Sequence, residues 1–149
     1  MTITDLLKAG LECYQQGNLD GAEQKFRQVI LGDSHNIHGL NLLGMVCVNT
    51  GRHEEAVQLI TEALKINPAD AQAHGNLGLA YQRMGNLNLA EHCFKKSIEI
   101  GAKTPTIFNS LGNVLRENGR ASEAVQVYES TLKVDGNYPE CWTNLSQAL

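Results

Sequence analysis

Apolar residues along this chain fall on two alternating stripes of helical period. Leu40, Leu43, Gly44 and Cys47 stand at i, i+3, i+4 and i+7, which lines one face of a helix. His74, Leu77, Gly78 and Tyr81 repeat that stripe, and Phe108, Leu111, Gly112 and Leu115 repeat it again. After each comes a second stripe, as in Ala56, Val57, Ile60, Ala63 and Leu64. The spacing predicts pairs of amphipathic helices. Within each pair the break falls at Gly17-Asn18, Gly51-Arg52, Gly85-Asn86 or Gly119-Arg120. A glycine just past a helix supplies the left-handed residue that ends it at little cost.

The stripes belong to one repeated unit. Gly17, Gly51, Gly85 and Gly119 recur at one fixed interval. The same interval separates Gly10, Gly44, Gly78 and Gly112, and again Ala22, Ala56, Ala90 and Ala124. Phe26, Ile60, Phe94 and Tyr128 keep a large residue in the same register. If the first of these glycine series is position 15, the repeats run 3–36, 37–70, 71–104 and 105–138. A partial fifth repeat or capping helix follows at 139–149, and the whole of 1–149 reads as a single domain. A mid-helix glycine costs about 1 kcal/mol relative to alanine, so position 8 needs a reason. The expectation is a close crossing, in which the glycine at 8 and the alanine at 20 bring the two backbones of a hairpin nearly into contact. Pro105 and Pro139 open helices, where a missing N–H is harmless, and Pro68 stops the helix before it.

These residues resemble the tetratricopeptide repeat (TPR), a helix–turn–helix unit whose copies follow one another at the same interval. The best copies are Leu43-Gly44, Gly51, Ala56, Ile60, Ala63 and Pro68, then Leu77-Gly78, Tyr81, Gly85, Ala90 and Phe94. The resemblance covers the whole chain. It departs at position 11, where Cys13 and Cys47 replace a large residue, and at position 32, where only Pro68 is proline. It implies an all-α right-handed superhelix, an α-solenoid, that serves as a protein–protein interaction scaffold or adaptor for a protein or peptide ligand.

In a stack of this kind the first helices line a concave surface. On a helical wheel, positions 2, 5, 6, 9, 12 and 13 lie opposite the core stripe. The groove candidates are therefore Leu7, Leu11, Asn41, Met45, Asn49, Asn76, Leu79, Arg83, Asn109, Asn113 and Arg116. With Leu42 and Val48 the N-terminal half is apolar, while the C-terminal half is amide-rich and charged. Such a surface suits an extended peptide or a partner helix, the strip taking side chains and the amides bonding backbone. TPR domains that hold chaperone tails use a two-carboxylate clamp of Lys, Asn and Arg over three successive repeats. No three successive repeats here carry that set.

A second resemblance lies in Leu40–Ile60 and Ala73–Ala80, which are similar to early repeats ahead of bacterial glycosyltransferase domains of the O-GlcNAc-transferase type. In that family an asparagine at position 6 forms a ladder gripping the substrate backbone. Asn76 and Asn144 match it, whereas Lys8, Leu42 and Ser110 do not. The alternative this implies is the substrate-recognition region of a larger enzyme.

Composition removes other classes. Twelve Lys+Arg against 16 Asp+Glu give a charge of −4 with no basic run, which argues against nucleic acid. No apolar run reaches the roughly 18 residues of a membrane span, and the start lacks a secretory signal, so the chain reads as cytoplasmic. Cys13, Cys47, Cys93 and Cys141 form no Cys-x-x-Cys pair and are expected to be reduced, small apolar residues. His35 and His38 lack a carboxylate partner in sequence, and no catalytic motif, metal site or cofactor is expected. Tyr138–Leu149 reads as most of a first helix, with Trp142, Leu145, Ser146 and Leu149 at core positions and no second helix after it. The expectation is an N-terminal fragment of a longer protein, whose apolar edge lets copies self-associate end to end.

Overall fold

The computed structural model describes all 149 residues, in nine helices. The first hairpin is α1 (Ile3–Gln15) and α2 (Leu19–Gly32), the second α3 (Ile37–Asn49) and α4 (His53–Ile66). The third is α5 (Ala71–Arg83) and α6 (Leu87–Ile100), the fourth α7 (Pro105–Glu117) and α8 (Ala121–Val134), and α9 (Pro139–Ala148) stands alone. Each helix packs on the one before and the one after it. The first helices α1, α3, α5, α7 and α9 also touch one another in order, whereas no two second helices meet. The layer of first helices therefore lies on the inside of the curve of a right-handed solenoid.

Each hairpin turns in the same way. Gly17, Gly51, Gly85 and Gly119 have φ between 77° and 81°. Around Gly17 the turn is closed by Gly17 N–H to the Tyr14 carbonyl at 3.0 Å and Asn18 N–H to the Cys13 carbonyl at 2.9 Å. That pair of bonds is a Schellman motif. The next residue then takes one of two roles. Asn18 and Asn86 cap the following helix through Gly21 N–H and Leu89 N–H. Arg52 and Arg120 make no cap and reach back to the preceding hairpin instead.

At the glycines of position 8 the tightest neighbour is a side chain rather than the opposing backbone. The space beside each is filled by the large side chain at position 24. A Cβ on Gly10 would lie 2.5 Å from the Phe26 ring, one on Gly44 2.5 Å from Ile60, and one on Gly78 2.7 Å from the Phe94 ring. Gly112 faces the Tyr128 ring in the same way, while the nearest backbone atom, the Ala56 carbonyl, is 3.6 Å from the Gly44 site. The missing side chain makes room for a ring, and Phe26, Ile60, Phe94 and Tyr128 are all fully buried.

The junctions between hairpins alternate. Across the first, Arg52 grips Glu23 with two bonds of 2.8 and 2.7 Å, and Arg27 joins Glu23 to Glu55. Across the third, Arg120 binds Glu91 and Glu123 at 2.6 Å each, and Lys95 also binds Glu91. At the second junction the matching positions hold Val57, Thr61, Asn86 and Leu89. A double period, two repeats long, is thus laid over the single one. It is visible in Asn18/Asn86, Leu19/Leu87, Glu23/Glu91 and Phe26/Phe94, and in Asn41/Asn109, Arg52/Arg120, Glu55/Glu123 and Leu64/Leu132.

These clusters predict a pH dependence. The Arg52 guanidinium hydrogen-bonded to Glu23 holds its carboxyl down at about 2, against an ordinary 4.5. Burial pushes the Glu91 carboxyl up, but its bonds from Lys95 and Arg120 together outweigh this and hold it low. A carboxyl lowered by folding adds stability above its unfolded pKa and loses it as the pH falls through the folded one. Glu23→Gln should therefore cost about 1 kcal/mol at pH 7. The gap from wild type should close between pH 4.5 and 2. Urea midpoints at pH 7, 4 and 2.5 measure it, and a gap unchanged at pH 2.5 would refute the assignment.

One expected set of core positions is corrected. On α9, Leu145 is buried, but Trp142 is 53% and Leu149 84% exposed, and Ser146 is exposed too. No helix packs on that side of α9 to cover them. Its buried contact is Cys141, whose Sγ donates to the Tyr128 carbonyl at 3.4 Å. Cys47 and Cys93 are buried as well, and burial pushes both thiols up to about 11, so little reactive thiolate is present at neutral pH.

Candidate partner-binding groove

The inner surface is built from rungs between neighbouring first helices. Position 5 of one repeat meets position 6 of the next. Asn76 Nδ2 donates to Asn41 Oδ1 at 2.8 Å, and Asn144 Nδ2 to Asn109 Oδ1 at 3.0 Å. The equivalent positions at the other two steps hold Leu7 with Leu42, both packed on the N-terminal core, and Gly75 with Ser110, both lining one cavity. From the N-terminus the rungs thus read apolar, amide, hollow, amide. Asn41, Asn76 and Asn109 are each over 90% buried. Only one amide atom of each residue is used in its rung, so the Asn41 Nδ2 and Asn76 Oδ1 atoms keep their hydrogen-bonding capacity.

A second row of rungs joins position 12 to position 13. Asn49 Nδ2 donates to the Tyr14 hydroxyl at 2.6 Å, and Gln82 Nε2 to Glu117 Oε1 at 3.0 Å. Asn49 and Arg83 are exposed at this edge, and the half-buried Arg116 donates to Gln147. Asn113 is turned inward: its Oδ1 accepts from the Tyr128 hydroxyl at 2.5 Å. Burial pushes that phenol up to about 12, which keeps it a donor.

The apolar candidates divide by packing. Leu7 lies against the N-terminal core around Phe26 and Leu43, and Leu79 against the C-terminal core around Phe94 and Leu111. Leu11 is 38% exposed and Met45 half-buried, and neither joins a core cluster. These two side chains are the apolar surface left uncommitted between the rungs. The paired asparagines, rather than the single position-6 residues, escaped the sequence reading. The signal was there in Asn41/Asn76 and Asn109/Asn144, two pairs with the same separation.

No three His, Cys, Asp or Glu side chains are grouped to hold a metal, and no helix is long and apolar enough to cross a membrane. A stack of helical hairpins with an inner surface of amide rungs and apolar side chains defines a repeat scaffold of the protein-interaction class. The tetratricopeptide repeat family model matches residues 35–103 and 69–137, and the chain belongs to that family.

A probable UDP-N-acetylglucosamine–peptide N-acetylglucosaminyltransferase SPINDLY of Hordeum vulgare is 26% identical over 149 residues, 95% of this chain and 16% of that protein. Cut9 in the APC/C Cut9–Hcn1 hetero-tetramer superposes with a TM-score of 0.94 at 20% identity, covering all of this chain and 30% of the other. The O-GlcNAc transferase of Thermobaculum terrenum superposes with 0.85 at 20% identity, covering 88% and 26%. The chain spans only 12 to 16% of the length of the first curated relatives it matches. Repeat modules of this family are typically non-catalytic and generally bind protein partners.

Proposed function

We propose that this chain holds an extended segment of a partner protein along the groove of α1, α3, α5, α7 and α9. The observation that carries the reading is the Asn41–Asn76 rung, buried yet with a donor and an acceptor unspent, beside Leu11 and Met45, which no core claims. An extended backbone needs both a donor and an acceptor, and its side chains need apolar surface. The net charge of −4 supports protein rather than nucleic acid as the partner, and four free cysteines support a cytoplasmic setting.

In this reading 1–149 is one unit of repeats 3–36, 37–70, 71–104 and 105–138 with a partial fifth at 139–149. The exposed Trp142 and Leu149 favour self-association through the array end. The second reading, a substrate-recognition region of a larger protein glycosyltransferase, is supported by the SPINDLY and O-GlcNAc-transferase likenesses.

The test uses nonapeptides selected on the wild-type chain from a phage-displayed random library. Leu11→Glu with Met45→Glu should weaken their binding at least tenfold, because each places a charge where an apolar contact was. The helical circular-dichroism signal should not change, since neither side chain belongs to the core. Unchanged affinity in the double variant would sink the groove reading. Leu79→Glu is the poorer test, as Leu79 packs against the C-terminal core.

A further inference from the structure

We infer that the hollow between α5 and α7 is a pocket for one large apolar side chain of the bound segment. The inference rests on the groove reading above and adds to it a specificity site. Four of the five position-5 residues carry side chains: Leu7, Asn41, Asn109 and Thr143. The fifth is the buried Gly75, whose side-chain space is taken by the tip of Ile107, and beside this pair the inner surface opens. The opening is a cavity of about 470 Å³ that includes Gly75, Asn76, Leu79, Ile107 and Ser110 in its walls. That size lies in the range of sites that enclose a ligand group rather than touch it.

The loop before α7 helps to shape the hollow. The other three inter-repeat loops begin at Asp33, Asn67 and Asp135, with φ from −131° to −148°. Here Gly101 begins the loop with φ 137°, and Ala102 and Thr104 line the cavity. The Ser110 hydroxyl donates its proton to the Thr106 carbonyl at 2.9 Å and so offers a ligand no donor. Leu79 and Ile107 supply the apolar walls.

The occupant follows from what stands on either side. Asn76 is a wall of the hollow and a member of the second rung, over 90% buried with its Oδ1 unspent. Asn109, next to Ser110, belongs to the fourth rung. An extended backbone held at both amide rungs crosses the hollow between them and turns alternate side chains towards the groove floor. Most of the surface exposed in the hollow is apolar, with Gln72, Thr104 and Thr106 adding polar atoms among its walls, so it takes a Leu, Met, Phe or Trp side chain of the partner.

The probe is again the phage-displayed nonapeptide library, selected on the wild-type chain. The selected peptides should share one large apolar residue, and its change to Ala should weaken binding tenfold or more. Two plugs come from opposite walls, each with a precedent in this chain: Gly75→Asn, as at Asn41 and Asn109, and Ser110→Leu, as at Leu42. Each should weaken the parent peptide by a similar factor and leave its Ala version within twofold, the coupling expected of groups in contact.

A Cβ at Gly75 must displace the tip of Ile107, 2.6 Å away, so a measurement on the unaltered chain is added. The ¹³C shift of the Ile107 δ-methyl should move with the parent peptide and not with its Ala version. Peptides that lose binding in the Leu11/Met45 variant, yet share no large apolar residue and leave the Ile107 methyl unmoved, would overturn the hollow and spare the groove. If no selected peptide depends on Leu11 and Met45, both readings fall.

Discussion

Replacing Phe94 by alanine is expected to lower the unfolding free energy by about 3–5 kcal/mol, the usual cost of emptying a fully buried aromatic site. The ring is wholly buried and lies against Gly78, where a Cβ would come within 2.7 Å of it. This contact makes a sharper prediction than the loss of the ring alone. Gly78→Ala in the wild type gains about 1 kcal/mol of helix propensity. It must also push a ring locked in a close-packed core, at about 1–3 kcal/mol, so the net change is destabilising. In the Phe94→Ala background the ring is gone and only the propensity gain remains. Gly78→Ala should then stabilise by about 1 kcal/mol, a reversal of sign. Urea unfolding of the four proteins of this cycle measures it, and a Gly78→Ala effect of the same sign in both backgrounds would remove the ring as the reason for the glycine.

A single Asn41→Leu change should cost about 1–3 kcal/mol, because it leaves the Asn76 amide buried without its partner. Asn76→Leu should cost a similar amount for the converse reason. The double change should be close to neutral, since replacing both members of a buried polar pair by apolar groups removes the unmet demand. The chain itself supplies the precedent in Leu7 and Leu42, which hold the equivalent positions with no polar side-chain atom. Thermal midpoints of the two single variants and the double variant decide it. If the penalties simply add, the two amides do not depend on each other. A near-neutral double variant that fails to bind the selected peptides would show that the pair is kept for the ligand and not for the fold.

Most of the architecture was legible in the residues because it is local and repeated. Helix ends follow from Gly17 and its equivalents, and the core face follows from stripes such as Leu40, Leu43, Gly44 and Cys47. Both depend on contacts within one hairpin, which the repeat states four times over. The repeat also placed the eleven groove candidates on the first helices, since one helical wheel serves every copy. Position 8 was legible as a close approach but not as to what approached. Only packing distinguishes a neighbouring backbone from the ring of Phe26, Phe94 or Tyr128.

The tertiary structure decided what happens between repeats. Whether Leu79 faces ligand or core, whether Trp142 is covered, and whether Asn41 meets Asn76 all depend on how one hairpin is rotated against the next. That rotation places positions 5 and 6 of successive first helices side by side. Their separation is one step longer than the repeat, so a search at the repeat interval passes over it. The same rotation turns Asn113 to Tyr128 and sets Gly75 against the tip of Ile107, at the wall of the cavity between α5 and α7. By itself the sequence determined the hairpin and its repetition, because short-range periodicity controls which face of a helix is apolar. The angle between hairpins, set by side chains far apart in the chain, decided which of those residues are left to meet a partner.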